Sequence, residues 1–156
     1  VAIVGGVLTS CCTPHNLNRE IVMAWGNGLF REARIKFEQW NNLEIGYLAG
    51  IIDGEGCLNL YTCIDKKKIK KTYTYCRLTI NTTDILLSNW LKEKIGVGGV
   101  NKEQRKKPKP HHKQVYIYLM AAERDLLNLL LWIEPHLIIK KQKARECIEF
   151  LKNKIT

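Results

Sequence analysis

Two carboxylates separated by one glycine, Asp53-Gly54-Glu55, close the segment 48–56 (LAGIIDGEG). The residues leading into them, 43–53 (LEIGYLAGIID), read as an almost wholly apolar helix with both sides buried, stopped by Gly54 and Gly56. Acids at that end of a helix sit in the negative field of the macrodipole, which disfavours bare carboxylates. A bound cation would explain them, since hard divalent ions take carboxylate and backbone carbonyl oxygens, and Gly54 can offer a carbonyl. On spacing alone, a glycine-rich helix end with a solvated acid pair is the alternative. Gly46 and Gly50 lie one helical turn apart and clear a stripe of side chains, so that a second helix can approach closely; ordinary tight packing is the alternative there.

The elements that must carry this segment follow from periodicity and turn chemistry. Strands are expected at 57–64 and 72–80, joined by a Lys-rich turn. The second alternates: Tyr73, Tyr75, Arg77 and Thr79 point one way, and Thr74, Cys76, Leu78 and Ile80 the other. Thr82 or Thr83 with Asp84 can cap a helix over 85–95, which Gly96 ends. A second strand pair is expected at 99–105 and 114–120, then a leucine-rich helix over 123–133 that stops before Pro135, then a last helix over 140–154. Hairpins alternating with helices make an α+β fold, with one face of a four-stranded antiparallel sheet covered by helices and the other free. Residues 1–42 form an N-terminal extension read as helical, with helices over 19–25 and 29–40, and residues 43–156 form the main domain.

The chain has 156 residues, 46% of them hydrophobic, enough for one domain with a real core and too apolar for a disordered protein. No stretch reaches the roughly 18 apolar residues of a membrane span, and the apolar opening, residues 1–8, lacks the basic flank of a signal peptide. The sequence opens on Val1 and not on Met, so a start further upstream is expected. Lys and Arg number 25 against 15 acids, a net charge of +10 that favours a polyanionic partner. Twelve of those cations fall in two windows, 66–77 and 102–113, each beside an expected strand. The six cysteines contain no C-x-x-C pair, which excludes zinc-ribbon spacing and favours apolar fillers in a reducing compartment.

LAGIIDGEG resembles the LAGLIDADG motif of homing endonucleases and related intron maturases, matching at seven of nine positions when Glu55 counts as an acid. The resemblance covers about residues 43–153, including a GVGGV segment at the third strand and PHLIIKKQKA near the end. It implies an αββαββα core whose sheet forms a saddle-shaped DNA-binding face. One motif per chain implies a homodimer, with Gly46, Tyr47, Ala49, Gly50 and Asp53 at the seam. It further implies Glu55 as the prime metal ligand, joined by the Gly54 carbonyl, with Asp53 supporting the turn or interface or adding a further ligand. The ion would be Mg²⁺ or Mn²⁺, with Ca²⁺ as a non-catalytic substitute. A family lysine that positions water or balances charge falls on Lys140, with Lys141 as the off-by-one alternative. A polar residue ordering solvent near the metal falls on Thr82 or Asn81, unless these only cap the next helix. A family arginine would fall near Leu86, where this sequence departs from the pattern.

The implied activity is site-specific hydrolysis of both strands of a long pseudo-palindromic DNA site, leaving short 3′ overhangs. Asn59, Tyr61, Cys63, Tyr73, Tyr75, Arg77, Thr79, Asn101, Glu103, Arg105, Gln114 and Tyr116 are expected on the free face. Of these, Arg77 and Arg105 suit guanine, while Asn59, Asn101 and Gln114 suit adenine. Lys66, Lys67, Lys68, Lys70, Lys71, Lys107, Lys109 and His112 would hold phosphate. The setting would be intracellular and DNA-associated, a prokaryotic cytoplasm or an organelle, with no membrane partner. The alternatives are an intron maturase acting on intron RNA, or a non-cleaving regulator of the same fold. A basic structural RNA protein would leave Asp53-Gly54-Glu55 without a purpose.

Overall fold

The structure, a computed structural model, describes residues 34–65, 71–104 and 110–155. The helix expected over 19–25, and the expected phosphate contacts Lys66, Lys67, Lys68, Lys70, Lys107 and Lys109, lie outside those residues, as do Arg105 and the side chain of Lys71.

Helix α1 runs Asn42–Glu55 and opens on a reciprocal cap. The Asn41 side chain accepts the Glu44 N–H at 2.9 Å, and the Glu44 carboxylate accepts the Asn41 N–H at 3.1 Å, an arrangement worth about 1 kcal/mol. The helix continues through Gly54, so Asp53 and Glu55 both lie in its last turn. Strand β1, Gly56–Asp65, starts at once. A Cβ on Gly56 would stand 2.5 Å from the Ile52 carbonyl oxygen, so this abrupt turn admits only glycine.

Strand β1 pairs antiparallel with β2, Lys71–Thr82, from Gly56↔Ile80 to Asp65↔Lys71. Helix α2, Ile85–Ile95, is capped by Asp84, whose carboxylate accepts the Leu86 N–H at 2.8 Å; it ends at Gly96 in a left-handed conformation, φ 72°. Strands β3, Gly99–Lys102, and β4, Tyr116–Met120, complete an antiparallel sheet in the order β1-β2-β4-β3. They are shorter than expected, although the Glu103 N–H still donates to the Val115 carbonyl at 2.8 Å, one bond beyond the strand ends. Helix α3, Glu123–Ile133, a 3₁₀ turn over Glu134–His136 and helix α4, Lys141–Ile155, follow.

The core lies between the helices and one face of the sheet. Cys76, Leu78 and Ile80 of β2 and Tyr118 and Met120 of β4 meet Leu48 and Ile52 of α1, Leu91 and Ile95 of α2, Leu126 to Ile133 of α3, and Ala144, Cys147 and Leu151 of α4. Each fully buried Leu or Ile stabilises by about 1.5–3 kcal/mol before conformational entropy is subtracted. The Tyr118 hydroxyl donates to the Val97 carbonyl at 2.5 Å, and burial pushes its pKa up.

The described part of the helix expected over 29–40 is not an α-helix. It is a bend followed by a 3₁₀ turn, Phe37–Gln39. Ile35 and Trp40 drop into the core there, and Trp40 meets Trp90 and Trp132 edge-on at 5.8 and 5.3 Å. Asn41 must then be extended to cap α1, which breaks any continuous helix. Within the single chain only one side of α1 is buried. Ile45, Leu48, Ala49 and Ile52 face the core, whereas Gly46, Gly50 and Gly54 are exposed, with Leu43 at 85% and Tyr47 at 55%.

Candidate metal and nucleic-acid site

The end of α1 and the start of α4 are tied together by Asp53. Its Oδ2 accepts the N–H groups of Ile138 at 2.7 Å and Ile139 at 3.2 Å, and its Oδ1 accepts that of Lys140 at 2.9 Å. The Lys140 ammonium returns to donate to the Asp53 backbone carbonyl. Partial burial pushes the Asp53 carboxyl up, but the three N–H groups and the Lys140 charge outweigh it, and its pKa sits below the ordinary carboxylate value. Lys140 is thereby held at the C-terminal end of α1, where its charge also offsets the negative end of the helix dipole.

Asp53 was expected to support the turn or the interface, or to join Glu55 as a ligand. Its carboxylate is committed to the backbone of 138–140, which is a turn-supporting role, and positions two apart on a helix point to opposite sides, away from Glu55. Ala49, also expected at the seam, is instead buried in the core of its own chain. Gly46, Tyr47 and Gly50 do lie on the outward side, and a Cβ added at Gly46, Gly50 or Gly54 would meet nothing within 4 Å.

Glu55 is exposed, and among the described residues no hydrogen bond or ion pair engages its carboxylate. The Gly56 N–H returns to the carbonyls of Ile51 and Ile52, which leaves the Gly54 carbonyl beyond the last intrahelical bond. A carboxylate and a backbone carbonyl on adjacent residues are donors of the kind a hard divalent ion takes. They fit as part of a site rather than a whole one: among the described residues no three His, Cys, Asp or Glu side chains gather as a ligand set. The remaining oxygens would have to come from outside the chain.

The free face of the sheet carries the expected groups on β1 and β2. The register sets Asn59 opposite Arg77, Tyr61 opposite Tyr75, Cys63 opposite Tyr73, and Cys57 opposite Thr79. The Tyr61 and Tyr75 rings stack at 5.6 Å, and the Arg77 guanidinium lies 4.2 Å from the Tyr61 ring centroid. Cys57, which sequence reasoning passed over, takes a hydrogen bond from the Asn59 amide at 3.1 Å; the same alternation that placed Asn59 would have found it.

On β4 the alternation runs opposite to expectation. Asn101 faces the free side opposite Ile117, but Tyr116 shares the helix side with Tyr118 and Met120. Ile117 and Leu119 are the β4 residues that reach the free face. Gln114 turns back, its amide donating to the carbonyls of Glu103 and Val115 at 3.1 and 2.9 Å. Glu103 lies just past β3, and His112 is exposed in the connection, with its ring edge-on to His111. Of the two candidates at the end of β2, the Thr82 hydroxyl accepts the Asp84 N–H at 3.0 Å in the turn into α2, while Asn81 stays on the free face opposite Ile117.

No protein-family model matches the chain, and no curated protein matches it. Solved structures do. The homing endonuclease I-CvuI, in complex with the I-CreI target in 2 mM Mg, superposes with a TM-score of 0.60 at 20% identity, over 70% of this chain and 66% of that one. The archaeal intron-encoded homing endonuclease I-Vdi141I, complexed with DNA, gives 0.59 at 18% identity, over 73% and 70%. The meganuclease I-SmaMI, bound to uncleaveable DNA, gives 0.58 at 17% identity, over 88% of this chain and 48% of that one. The chain therefore spans just under two thirds of I-CvuI and about half of I-SmaMI. Its α+β architecture, with helices on one face of a four-stranded antiparallel sheet, is the fold of the LAGLIDADG homing endonuclease structures.

Proposed function

We propose that this chain is one half of a homodimeric, site-specific DNA endonuclease. It would hydrolyse both strands of a long pseudo-palindromic site in a divalent-metal-dependent reaction and leave short 3′ overhangs. The observation that carries the reading is the placement of Glu55: it ends a helix whose outward stripe, Gly46, Gly50 and Gly54, is open and without a partner among the described residues. Two such helices packed along their stripes would bring two Glu55 carboxylates to one axis, each serving one strand. The overlay of this chain on about half of I-SmaMI supports a two-part assembly.

Within each copy, Glu55 and the Gly54 carbonyl would hold Mg²⁺ or Mn²⁺, and Ca²⁺ would occupy the same oxygens without supporting cleavage. The bound ion supplies charge neutralisation at the phosphate and a more acidic water. The protein's own part is positional. Asp53 fixes the 138–140 backbone, which places the Lys140 ammonium at the C-terminal end of the helix, against the Asp53 carbonyl. A cation there offsets charge that develops on the scissile phosphate. The free face of the sheet would lie in the major groove, since a twisted antiparallel ribbon fits it. The Lys-rich windows would grip phosphate, giving affinity that falls steeply with salt. Asn81 is the end-of-strand polar group left free to order solvent.

The reading is tested by incubating the full chain with a plasmid library of randomised inserts and Mg²⁺, and mapping recovered ends. Staggered breaks at one recurrent sequence are expected, made by a species of twice the chain mass. Site-specific binding without breaks would replace the nuclease by a non-cleaving binder or maturase.

A further inference from the structure

The free face is divided along its length into two chemically different halves, and this division points to what the DNA site contains. Furthest from Glu55, the paired strands β1 and β2 present an aromatic and cationic surface. Tyr61 and Tyr75 stack, and the Arg77 guanidinium lies over the Tyr61 ring, 4.2 Å from its centroid. No carboxylate pairs with Arg77 among the described residues, and its Nε is buried without a hydrogen-bond partner. The side chain is thus held against Tyr61 by packing, with no carboxylate to neutralise its charge. Its row neighbour Asn59 has an amide hydrogen engaged by the Cys57 sulfur, which competes with a two-point contact to adenine. Arg77 is therefore the row's reader, and a guanidinium fork matches the O6 and N7 acceptors of guanine.

One row nearer Glu55 the surface changes. Thr79 lies opposite Leu119, and Leu119 opposite Gly99; in the next row Asn81 lies opposite Ile117. Leu119 and Ile117 are half-buried and project from the face opposite the core, outside the core cluster. In a major groove the one apolar group a base presents there is the thymine methyl. Successive same-face rows on a strand are about 7 Å apart, on the order of two base-pair steps.

We propose that each half-site carries a guanine read by Arg77 and, about two to four base pairs nearer the point of cleavage, thymine whose methyl packs on Leu119 and Ile117. This inference rests on the endonuclease reading and deepens it by naming the bases that the sheet selects.

The test is selection of bound duplexes from a randomised library by the full chain in Ca²⁺, followed by base analogues in the selected site. Replacing the enriched guanine by 7-deazaguanine removes the N7 acceptor and is expected to weaken wild-type binding about ten-fold. It should leave the weaker binding of Arg77→Ala unchanged. Replacing the enriched thymine by deoxyuridine removes only the methyl and should weaken binding about three-fold, with no effect on Leu119→Ala. The analogues leave the protein wild type, so the test stands even if a variant fails to fold. A consensus that tolerates both analogues overturns this inference and leaves the endonuclease reading intact. Failure to enrich any consensus overturns the endonuclease reading itself.

Discussion

Asp53 and Lys140 hold each other twice: the Lys140 N–H donates to the Asp53 carboxylate at 2.9 Å, and the Lys140 ammonium donates to the Asp53 carbonyl. The link joins residues 87 positions apart and fixes the start of α4 to the end of α1. Removing the carboxylate strands three N–H groups at once. Asp53→Ala is therefore expected to lower stability by about 1–2 kcal/mol in a denaturant melt, and to slow single-turnover cleavage about ten-fold or more by loosening Lys140. Asp53→Asn, which keeps one acceptor oxygen, should fall between the two. A melt of Asp53→Ala that superimposes on the wild type would remove Asp53 from this positioning role.

Gly50 is a position at which folding and the proposed pairing can be tested apart. Its outward position has open space, so Gly50→Leu should leave the single chain folded, and a better helix former there should stabilise it by up to about 1 kcal/mol. If the stripe is a helix–helix seam, the same change blocks close approach, and sedimentation should report a monomer. A Gly50→Leu dimer of undiminished affinity would place the contact between copies elsewhere.

Glu44 links the N-terminal cap of α1 to α2. Its carboxylate lies 2.5 Å from the Lys94 ammonium and also accepts the Asn41 N–H. The Lys94 hydrogen bond, then the Asn41 N–H, hold its pKa below the ordinary glutamate value despite some desolvation in the opposite direction. A depressed pKa means a contribution to stability that is present above the unfolded value, about 4.3, and lost as pH falls through the folded one. Carboxyl NMR titration should place the Glu44 midpoint below that value, and Lys94→Met should raise it. A midpoint unmoved by Lys94→Met would mean that the ion pair does not persist in solution.

What was legible in the sequence tracks how local the cause is. The bounds of α2 and α3 are set by an N-terminal acid, a following glycine or a proline, all within a few residues. The free side of β2 was legible because its polar and apolar residues alternate. On β4 both faces are largely apolar, Ile117 and Leu119 against Tyr118 and Met120, so alternation carried no signal and Tyr116 was assigned to the wrong side. Spacing put Asp53 and Glu55 together; helical geometry sends them to opposite sides, and the partner of Asp53 is a backbone segment far along the chain. The outward side of α1 is exposed in the single chain, because composition does not tell a face that needs a partner from one that packs on the chain's own core.

In the proposed endonuclease, the Glu55 carboxylate is the oxygen donor for the ion that supports cleavage. The most direct measurement is single-turnover cleavage of the selected DNA site in Mg²⁺ by wild type and Glu55→Gln, with binding read in parallel. Glu55→Gln keeps the shape and removes the charge. It should bind within about two-fold of the wild type and cut at least about a hundred-fold more slowly. Cleavage by Glu55→Gln at the wild-type rate would contradict the account.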